Sequence, residues 1–464
     1  MSHSELLTAA ERLHLDLDDA HVHMHVSGAF LFERGPLGQG AGVAFDRIRD
    51  FVESRLYQVP RCRQRLARAP LSGELAWVDD ATFNLQYHVR HTHLPHPGDE
   101  RQLKRLCGQV ASQRLDREKP LWELHVVEGL EDGRFALVVK AHQCITKGVW
   151  EIGLIEALLS ESADPEPAEP GPVWLPRPAP SGQDLLRNSV THRVEAPLRF
   201  GRFLLEAGQK PERLWTELRS GLEGFLDATP ASETPFNRPI GPHRRLDWLV
   251  SDAQSARNVA DHYRTTLDAV ALASLAGAVG RFFELRGIPR ADQRDFSMRA
   301  ALPEHAGGLL NEDPPGDTLA WLIAELPIAE PDPLARLQQV TEGLEASTHV
   351  GYELFSGASE WLWPGIYGAL ARIQLAGRAS NLTLALLSGP ETDRFLLGAR
   401  LTDAFPILPL VPDQALRVAL YARGSQLHWG FNSDWDLLPD LHDLVRFTDE
   451  CFKELCAAAN AQAA

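Results

Sequence analysis

The sequence predicts a mixed α/β protein of two domains. Three observations carry this. The chain has 464 residues, more than one hydrophobic core normally serves. Strand-like and helix-like patterns mix in both halves. Between the halves, Ser162 to Pro180 is dense in proline, glutamate and alanine, the composition of a linker. The expected organisation is a first domain over 1–160, a proline-rich and helical linker over 161–238, and a second domain over 239–464.

The elements follow in order. Val22-His23-Met24-His25-Val26 leads into the apolar run Gly28 to Phe32, a core strand. Phe45 to Leu56 has helical periodicity. Trp77-Val78-Asp79 and Tyr87-His88-Val89 read as short strands, and Asp99 to Leu115 as an amphipathic helix. Leu124 to Leu130 and Phe135 to His142 read as strands joined by a turn at Glu131-Asp132-Gly133. Gly148 opens an apolar helix to Leu159. Strand, short loop and helix in succession can hold a loop rigidly, and such loops often carry chemistry.

Asp184 to Asp227 is helical in pattern but broken at Pro197, Gly208 and Pro211. Its basic and acidic residues balance, whereas an interfacial helix is basic on its polar face. It reads as a bridge packed between domains. The second block begins near Pro239. Ala256 to His262 and Thr266 to Gly287 read as helices, the latter rich in alanine and suited to close packing. Leu319 to Leu326 is a strand and Asp332 to Ser347 a helix. Asn381 to Leu387, Ala415 to Ala422 and Gln426 to Asn432 are strands, and Leu438 to Ala459 is the last helix.

Composition narrows the function classes. The chain is 44% hydrophobic and 23% charged, ordinary for a globular protein. Its net charge is −17 and no basic stripe is present, so a nucleic-acid partner is not expected. The five cysteines are scattered and lack metal-type spacing, which points to a reducing cytoplasm and no metal. Met1 to Leu17 lacks the basic and apolar regions of a signal peptide. No apolar run reaches the roughly 18 residues a membrane span needs. Any membrane or lipid-droplet contact is expected to be peripheral.

Residues 140–148 read Lys-Ala-His-Gln-Cys-Ile-Thr-Lys-Gly. With Pro120-Leu121-Trp122-Glu123 upstream, this stretch resembles the bacterial wax ester synthase/diacylglycerol acyltransferase (WS/DGAT) family. There the same strand ends in His-His-x-x-x-Asp-Gly. His142 and Gly148 match; Gln143 stands where the second histidine would be, and Lys147 where the aspartate would be. Further blocks are similar in the same order. They are Met24 to Gly28, Pro60 to Leu66, Tyr87 to His91, Asn237 to Arg245, Leu397 to Arg400 and Gln426 to Gly430. The resemblance covers nearly the whole chain. It implies a two-domain CoA-dependent acyltransferase fold, like that of chloramphenicol acetyltransferase and condensation domains, with a central tunnel. It implies acyl-CoA or another acyl thioester as substrate and no cofactor.

The resemblance also locates a departure. The second histidine is the family's general base, taking the acceptor hydroxyl proton as oxygen attacks the thioester. A carboxamide has no useful basicity and only donates and accepts hydrogen bonds. Losing a general base costs about 10²–10⁴-fold in rate. Lys147 reverses the charge of a residue that, in the family, pairs with a positive group. The family's Ser-Asn-Val-Pro-Gly-Pro aligns with Ala385 to Pro390, so Ala385-Leu386 replaces Ser-Asn while Gly389-Pro390 keeps the turn. The Asn-Asp pair opening the second-domain helix has become Leu267-Asp268. The expected site is therefore Gln143, His142, Lys147 and Gly148, with Asp268, Ala385, Leu386, Gly389 and Pro390 around the substrate.

Other residues offer weaker chemistry. On an extended strand end, His142 and Cys144 face away from the side that Gln143 faces. A packed histidine and a buried thiol are the expected roles. His21, His23 and His25 alternate, but no fourth metal ligand is apparent. His88, His91, His93, His96 and His125 read as structural, and Asp434 and Asp436 as loop or cap residues.

Three readings of function follow. The first is an impaired or inactive homologue that binds acyl chains, acyl-CoA, another lipid or a protein partner. The second is a repurposed transferase with a different acceptor or base. The third is a slow O-acyltransferase making wax ester or triacylglycerol, in which Gln143→His would raise activity.

Overall fold

The computed structural model describes residues 5–40, 42–70, 73–146, 150, 152–164, 172–178, 180–184, 231–305, 319–347, 349–350 and 379–463. The bridge expected over 185–227 and the motif residues Lys147 and Gly148 lie outside them.

Two sheets dominate. The first contains β1 (His25–Phe32), β4 (Val89–His93), β5 (Trp122–Glu128), β6 (Phe135–His142) and β11 (Ala399–Ile407), with the short strand Phe395–Leu396 at its edge. Its order is Phe395–Leu396, β11, β1, β6, β5, β4. The second contains β7 (Arg244–Asp252), β8 (Arg299–His305), β9 (Leu319–Glu325), β10 (Leu382–Ser388), β12 (Leu416–Arg423) and β13 (Gln426–Asp434). Its order is β7, β13, β12, β10, β8, β9, with His349–Val350 at the edge. A small sheet pairs Glu5–Leu6 with β3 (Leu75–Asp79), and β3 with β2 (Gln64–Arg68).

Strand β11 belongs to the second half by sequence but pairs antiparallel with β1 of the first half, Phe405 opposite Ala29 and Ile407 opposite Ser27. The second half thus reaches across to extend the first sheet. At this crossing a side chain on Gly430 of β13 would lie 1.7 Å from the Pro406 carbonyl oxygen of β11. Only glycine admits that approach.

Helices cover the sheets for the reasons their sequences give. Helix α1 (Ala9–Leu17) starts at a capping box. Thr8 Oγ1 accepts from the Glu11 amide at 3.2 Å, and Glu11 Oε2 accepts from the Thr8 amide at 2.8 Å. Such a cap contributes about 1 kcal/mol. Helix α2 (Phe45–Arg55) buries Ile48, Phe51 and Val52. Helix α3 (Glu100–Ser112) packs Leu103, Cys107 and Val110 on the first sheet. Helix α4 is Gly153–Leu158; the chain is extended at Ile152, so the helix begins later than Gly148. Helices α5 (Ala253–Tyr263), α6 (Leu267–Leu285), α7 (Pro333–Ala346) and α8 (Leu441–Ala463) pack on the second half, α6 with its alanines buried.

One short strand is replaced by a turn of helix. Leu85–His88 is helical because Asn84 caps it, accepting from the Gln86 amide at 3.0 Å. Strand β4 follows. Among the described residues no single helix is long and apolar enough to cross a membrane.

Candidate active site

The site is built on the end of β6. Alternation divides that strand's side chains between two faces. Phe135, Leu137, Val139 and Ala141 share a buried cluster with Trp122, Leu124 and Phe30, and with Ala385, Leu387 and Ala419 of the second sheet. Ala136 and Val138 pack the other way, beneath α3. Lys140 is fully buried, and its ammonium donates to the Val110 and Gln113 carbonyls at 2.9 and 2.8 Å. Those carbonyls end α3, where the helix presents partial negative charge. Glu123 balances the lysine at 3.4 Å.

His142 ends the strand with extended backbone (φ −69, ψ 138), and Gln143–Ile145 forms a 3₁₀ turn. The Gln143 amide donates to the Met24 carbonyl at 2.8 Å, and its carbonyl accepts from the Thr146 amide and hydroxyl at 3.3 and 3.0 Å. The turn's backbone is thereby fixed. His142 Nδ1 accepts from the Cys144 amide at 3.2 Å. Its Nε2 faces Asp18 Oδ2 at 3.5 Å, and Arg117 donates to the same oxygen at 2.8 Å. This pattern assigns the His142 proton to Nε2. Burial lowers the His142 pKa against the opposing pull of Asp18. His142 is a neutral imidazole whose Nδ1 is bonded, while its Nε2 faces Asp18 without making a hydrogen bond among the described residues. Cys144 is buried among Leu15, Trp77 and Leu121, and burial pushes its thiol well above the ordinary value. It is not a poised nucleophile.

Gln143 opens the 3₁₀ turn directly after the strand. It is 7% exposed, and its Oε1 is buried with no hydrogen-bond partner among the described residues.

The second sheet places the remaining candidates on different faces. Ala385 joins the cluster of Ala141, whereas Leu384 and Leu386 pack on the α6 side. Ala385 and Leu386 therefore do not look into one space. Asp268 sits in the first turn of α6, which covers the face opposite Ala385, and burial raises its carboxyl pKa. Gly389 follows β10; its amide donates to the Ala422 carbonyl at 2.7 Å, and a side chain there would lie 2.5 Å from Tyr421 Cζ. Pro390, half-buried, continues that turn.

Sequence reasoning missed a polar row on the inner face. Thr383, Arg417 and Asn432 lie side by side on β10, β12 and β13, all buried. Thr383 donates to Gln414 at 2.8 Å, and Asn432 donates to the Leu408 carbonyl at 2.6 Å while its Oδ1 finds no partner among the described residues. Burial lowers the Arg417 pKa to about 10, so it stays cationic. It missed helix α1 as well. Thr8-Ala9-Ala10-Glu11 carries the capping-box spacing that locates that helix.

Of the other histidines named from sequence, His23, His25, His88 and His125 are buried, while His21, His91, His93 and His96 are exposed. His25 lies opposite His142 with rings 5.7 Å apart, and 5.6 Å from His23. His88 bonds the Trp122 carbonyl at 2.8 Å and stacks on that indole. His91 meets Glu128 at 2.8 Å, and His125 meets Glu123 at 3.4 Å. Among the described residues no group of three or more His, Cys, Asp or Glu is arranged to hold a metal. Asp434 accepts from the amides of Gly241, Asp436 and Leu437 at 2.7, 3.0 and 2.9 Å, a loop cap.

Comparisons with known proteins bear on the whole chain. Residues 7–271 match the wax ester synthase/diacylglycerol acyltransferase catalytic domain, and residues 316–456 match the WS/DGAT C-terminal domain. A putative diacylglycerol O-acyltransferase of Mycobacterium tuberculosis is 29% identical, covering 91% of this chain and 84% of its own length. A probable diacylglycerol O-acyltransferase of the same organism, tgs2, is 28% identical over 97% of this chain and 98% of itself. A wax ester synthase/diacylglycerol acyltransferase from Marinobacter aquaeolei superposes with a TM-score of 0.70 at 23% identity, covering 98% of this chain and all of that one (100%). The starter condensation domain of rhizomide synthetase superposes at 0.58 with 14% identity, covering 98% of this chain and 94% of that one. The fold is the mixed α/β fold of these acyltransferases and condensation domains. Two domain matches spanning both sheets, together with relatives matched almost end to end, place the chain in the wax ester synthase/diacylglycerol acyltransferase family.

Proposed function

We propose that the chain is an acyl-thioester-dependent transferase of this family whose chemistry does not run through the second histidine of the motif. The observation that carries this is the Gln143 carboxamide. It is buried, and its Oε1 has no hydrogen-bond partner among the described residues. An unpaired buried acceptor costs about 1–3 kcal/mol. A site without a task relieves that cost by filling with apolar side chains. Here the polar row of Thr383, Arg417 and Asn432 persists on the facing sheet. Such unsatisfied groups mark places where a ligand completes the hydrogen bonding.

In this reading an acyl thioester, with acyl-CoA the simplest candidate, enters between the two sheets. The condensation-domain neighbour was solved with C8-CoA, which supports a CoA thioester as the first donor to test. Gln143 binds and orients: its NH₂ donates to a developing oxyanion or positions the acceptor. The acceptor is a fatty alcohol, a diacylglycerol or an amine.

The test is free-thiol release from a panel of acyl-CoAs with each acceptor, on the natural protein and on Gln143→Ala. Turnover that falls in the variant supports the reading. No turnover with any acceptor, in folded protein, overturns it in favour of an impaired homologue that binds acyl thioester, lipid or a protein partner. One observation favours that second reading: Gln143 is not basic, and His142 is buried with Nδ1 bonded to the Cys144 amide and Nε2 turned to Asp18.

A further inference from the structure

We propose that Asp18 is a positioning residue of the transfer reaction: backed by Arg117, it keeps the His142 proton on Nε2 and so fixes the turn that presents Gln143. The proposal rests on the transferase reading above and adds the group that holds its site in shape.

The contacts run in one line from the surface to the turn. Arg117 lies beyond the end of α3 and is part exposed. Its Nη2 donates to Asp18 Oδ2 at 2.8 Å and to the Leu15 carbonyl of α1 at 2.9 Å. Asp18 caps the C-terminus of α1, and its side chain is only 3% exposed. The same Oδ2 stands 3.5 Å from His142 Nε2. Across the ring, Nδ1 accepts from the Cys144 amide at 3.2 Å. Cys144 is the middle residue of the turn Gln143–Ile145, and it packs against Leu15. Gln143 therefore lies between the two residues that the imidazole joins.

The chemistry of this line has a direction. The Cys144 N–H only donates, so Nδ1 must be bare, and the neutral ring carries its proton on Nε2. An ionised carboxylate only accepts, so Asp18 suits that N–H. Burial raises the Asp18 carboxyl, but His142 and Arg117 overcome this and hold its pKa below the ordinary value. It is therefore ionised at neutral pH. Nε2 makes no closed hydrogen bond among the described residues, so the negative charge 3.5 Å away is what selects the tautomer from this side.

Without the carboxylate the line reverses. Arg117 loses its anion, and a guanidinium only donates. Facing the ring, it favours a bare Nε2, and the proton moves to Nδ1. There it meets the Cys144 N–H donor to donor, and that hydrogen bond is lost. The Gln143 amide stays on the Met24 carbonyl at 2.8 Å, so the turn distorts rather than unfolds, and the carboxamide is displaced. Asp18 acts through His142 and touches no reacting atom.

The experiment uses the full-length protein labelled with nitrogen-15 histidine. The shifts of the His142 ring nitrogens, assigned by their loss in His142→Gln, report which one carries the proton. Thiol release from palmitoyl-CoA is read with hexadecanol, dipalmitoylglycerol or hexadecylamine as acceptor. In the natural protein the proton is expected on Nε2. In Asp18→Ala it is expected on Nδ1, with kcat lower by about 100-fold, the loss that a misplacement of about 1 Å brings. KM for palmitoyl-CoA is expected to stay within a few-fold. Asp18→Asn keeps an oxygen that accepts from Arg117 and faces Nε2, so it restores the Nε2 proton and most of the rate. If Asp18→Ala does not fold, Asp18→Leu, which fills the space, takes its place. A folded variant whose proton stays on Nε2, or whose kcat stays within a few-fold of the natural value, overturns the proposal and leaves the transferase reading standing. Absence of turnover in the natural protein overturns that reading and the positioning role with it, and the spectra tell this failure from a failure of the tautomer lock.

Discussion

Asp18 Oδ2 lies 3.5 Å from His142 Nε2 and accepts a 2.8 Å hydrogen bond from Arg117. Asp18 follows directly on α1, so this carboxylate fastens the N-terminal helix to the motif strand. It also fixes what the surviving motif histidine can do. With its proton held toward Asp18 and Nδ1 accepting from the Cys144 amide, His142 shapes the turn that presents Gln143.

Acid should destabilise the fold from near neutrality downward. His14, His23, His25, His88 and His142 all have lowered pKa values, chiefly through burial. A histidine whose folded pKa is depressed stabilises the fold above its unfolded value, near 6.5, and that contribution is lost as pH falls. Each group costs up to about 1.4 kcal/mol per pH unit below that point. Below about pH 4 the carboxylates join in. Burial raises the Asp403 pKa, but hydrogen bonds from His428 and Thr402 overcome this and bring it down to about 2. Melting temperature should hold between pH 8 and about 7 and fall from there to pH 5. A flat profile would mean these imidazoles are solvated.

Lys140→Met should cost about 3–5 kcal/mol, the usual result of removing one member of a buried ion pair. The substitution keeps the volume but strands the Val110 and Gln113 carbonyls and leaves Glu123 without its buried cation. Chemical denaturation reads this directly. A loss under 1 kcal/mol would show that Arg90, 3.0 Å from Glu123, carries the carboxylate alone.

Gly430→Ala tests the junction of the two sheets. The added carbon would meet the Pro406 carbonyl oxygen at 1.7 Å, and both groups are backbone held in ladders. No rotamer relieves that clash, so β11 and β13 must separate. The expected loss is at the upper end of the roughly 1–3 kcal/mol typical of overpacking, or beyond it. A denaturation midpoint equal to that of the natural protein would show that β11 can shift without penalty.

Much of this was legible locally. Phe135 to His142 reads as a strand and is one, with the same bounds. The long alanine-rich helix is within two residues of its expected ends. Strand β11 was not legible, because Asp403 and Pro406 interrupt its apolar pattern and proline argues against a strand interior. Its pairing with β1 is a contact between the two ends of the chain, which no local period encodes. The site divides in the same way. The strand that ends at His142 is legible by its pattern, but the 3₁₀ turn that Gln143 opens is not. The separation of Ala385 from Leu386 follows equally from alternation on β10, given which face meets the first sheet.

Gln143→Leu separates stability from function at the centre of the site. Replacing a buried, unpaired polar group by an apolar one of similar size is neutral or stabilising. Gln143 Oε1 has no partner among the described residues, and the side chain is buried. The backbone bonds from the Gln143 amide to Met24 and from Thr146 to the Gln143 carbonyl do not involve the side chain. The variant should therefore fold, with a melting temperature equal to or a few degrees above that of the natural protein, about 1 kcal/mol at most. Acyl-thioester binding or turnover should fall, because leucine neither donates to a carbonyl nor holds an acceptor. A gain in stability with loss of function is the pattern of a polar residue kept for a ligand. If instead stability drops by several kcal/mol while function persists, the carboxamide is a structural hydrogen-bonding group. Its orphaned oxygen is then satisfied by ordered water rather than by substrate.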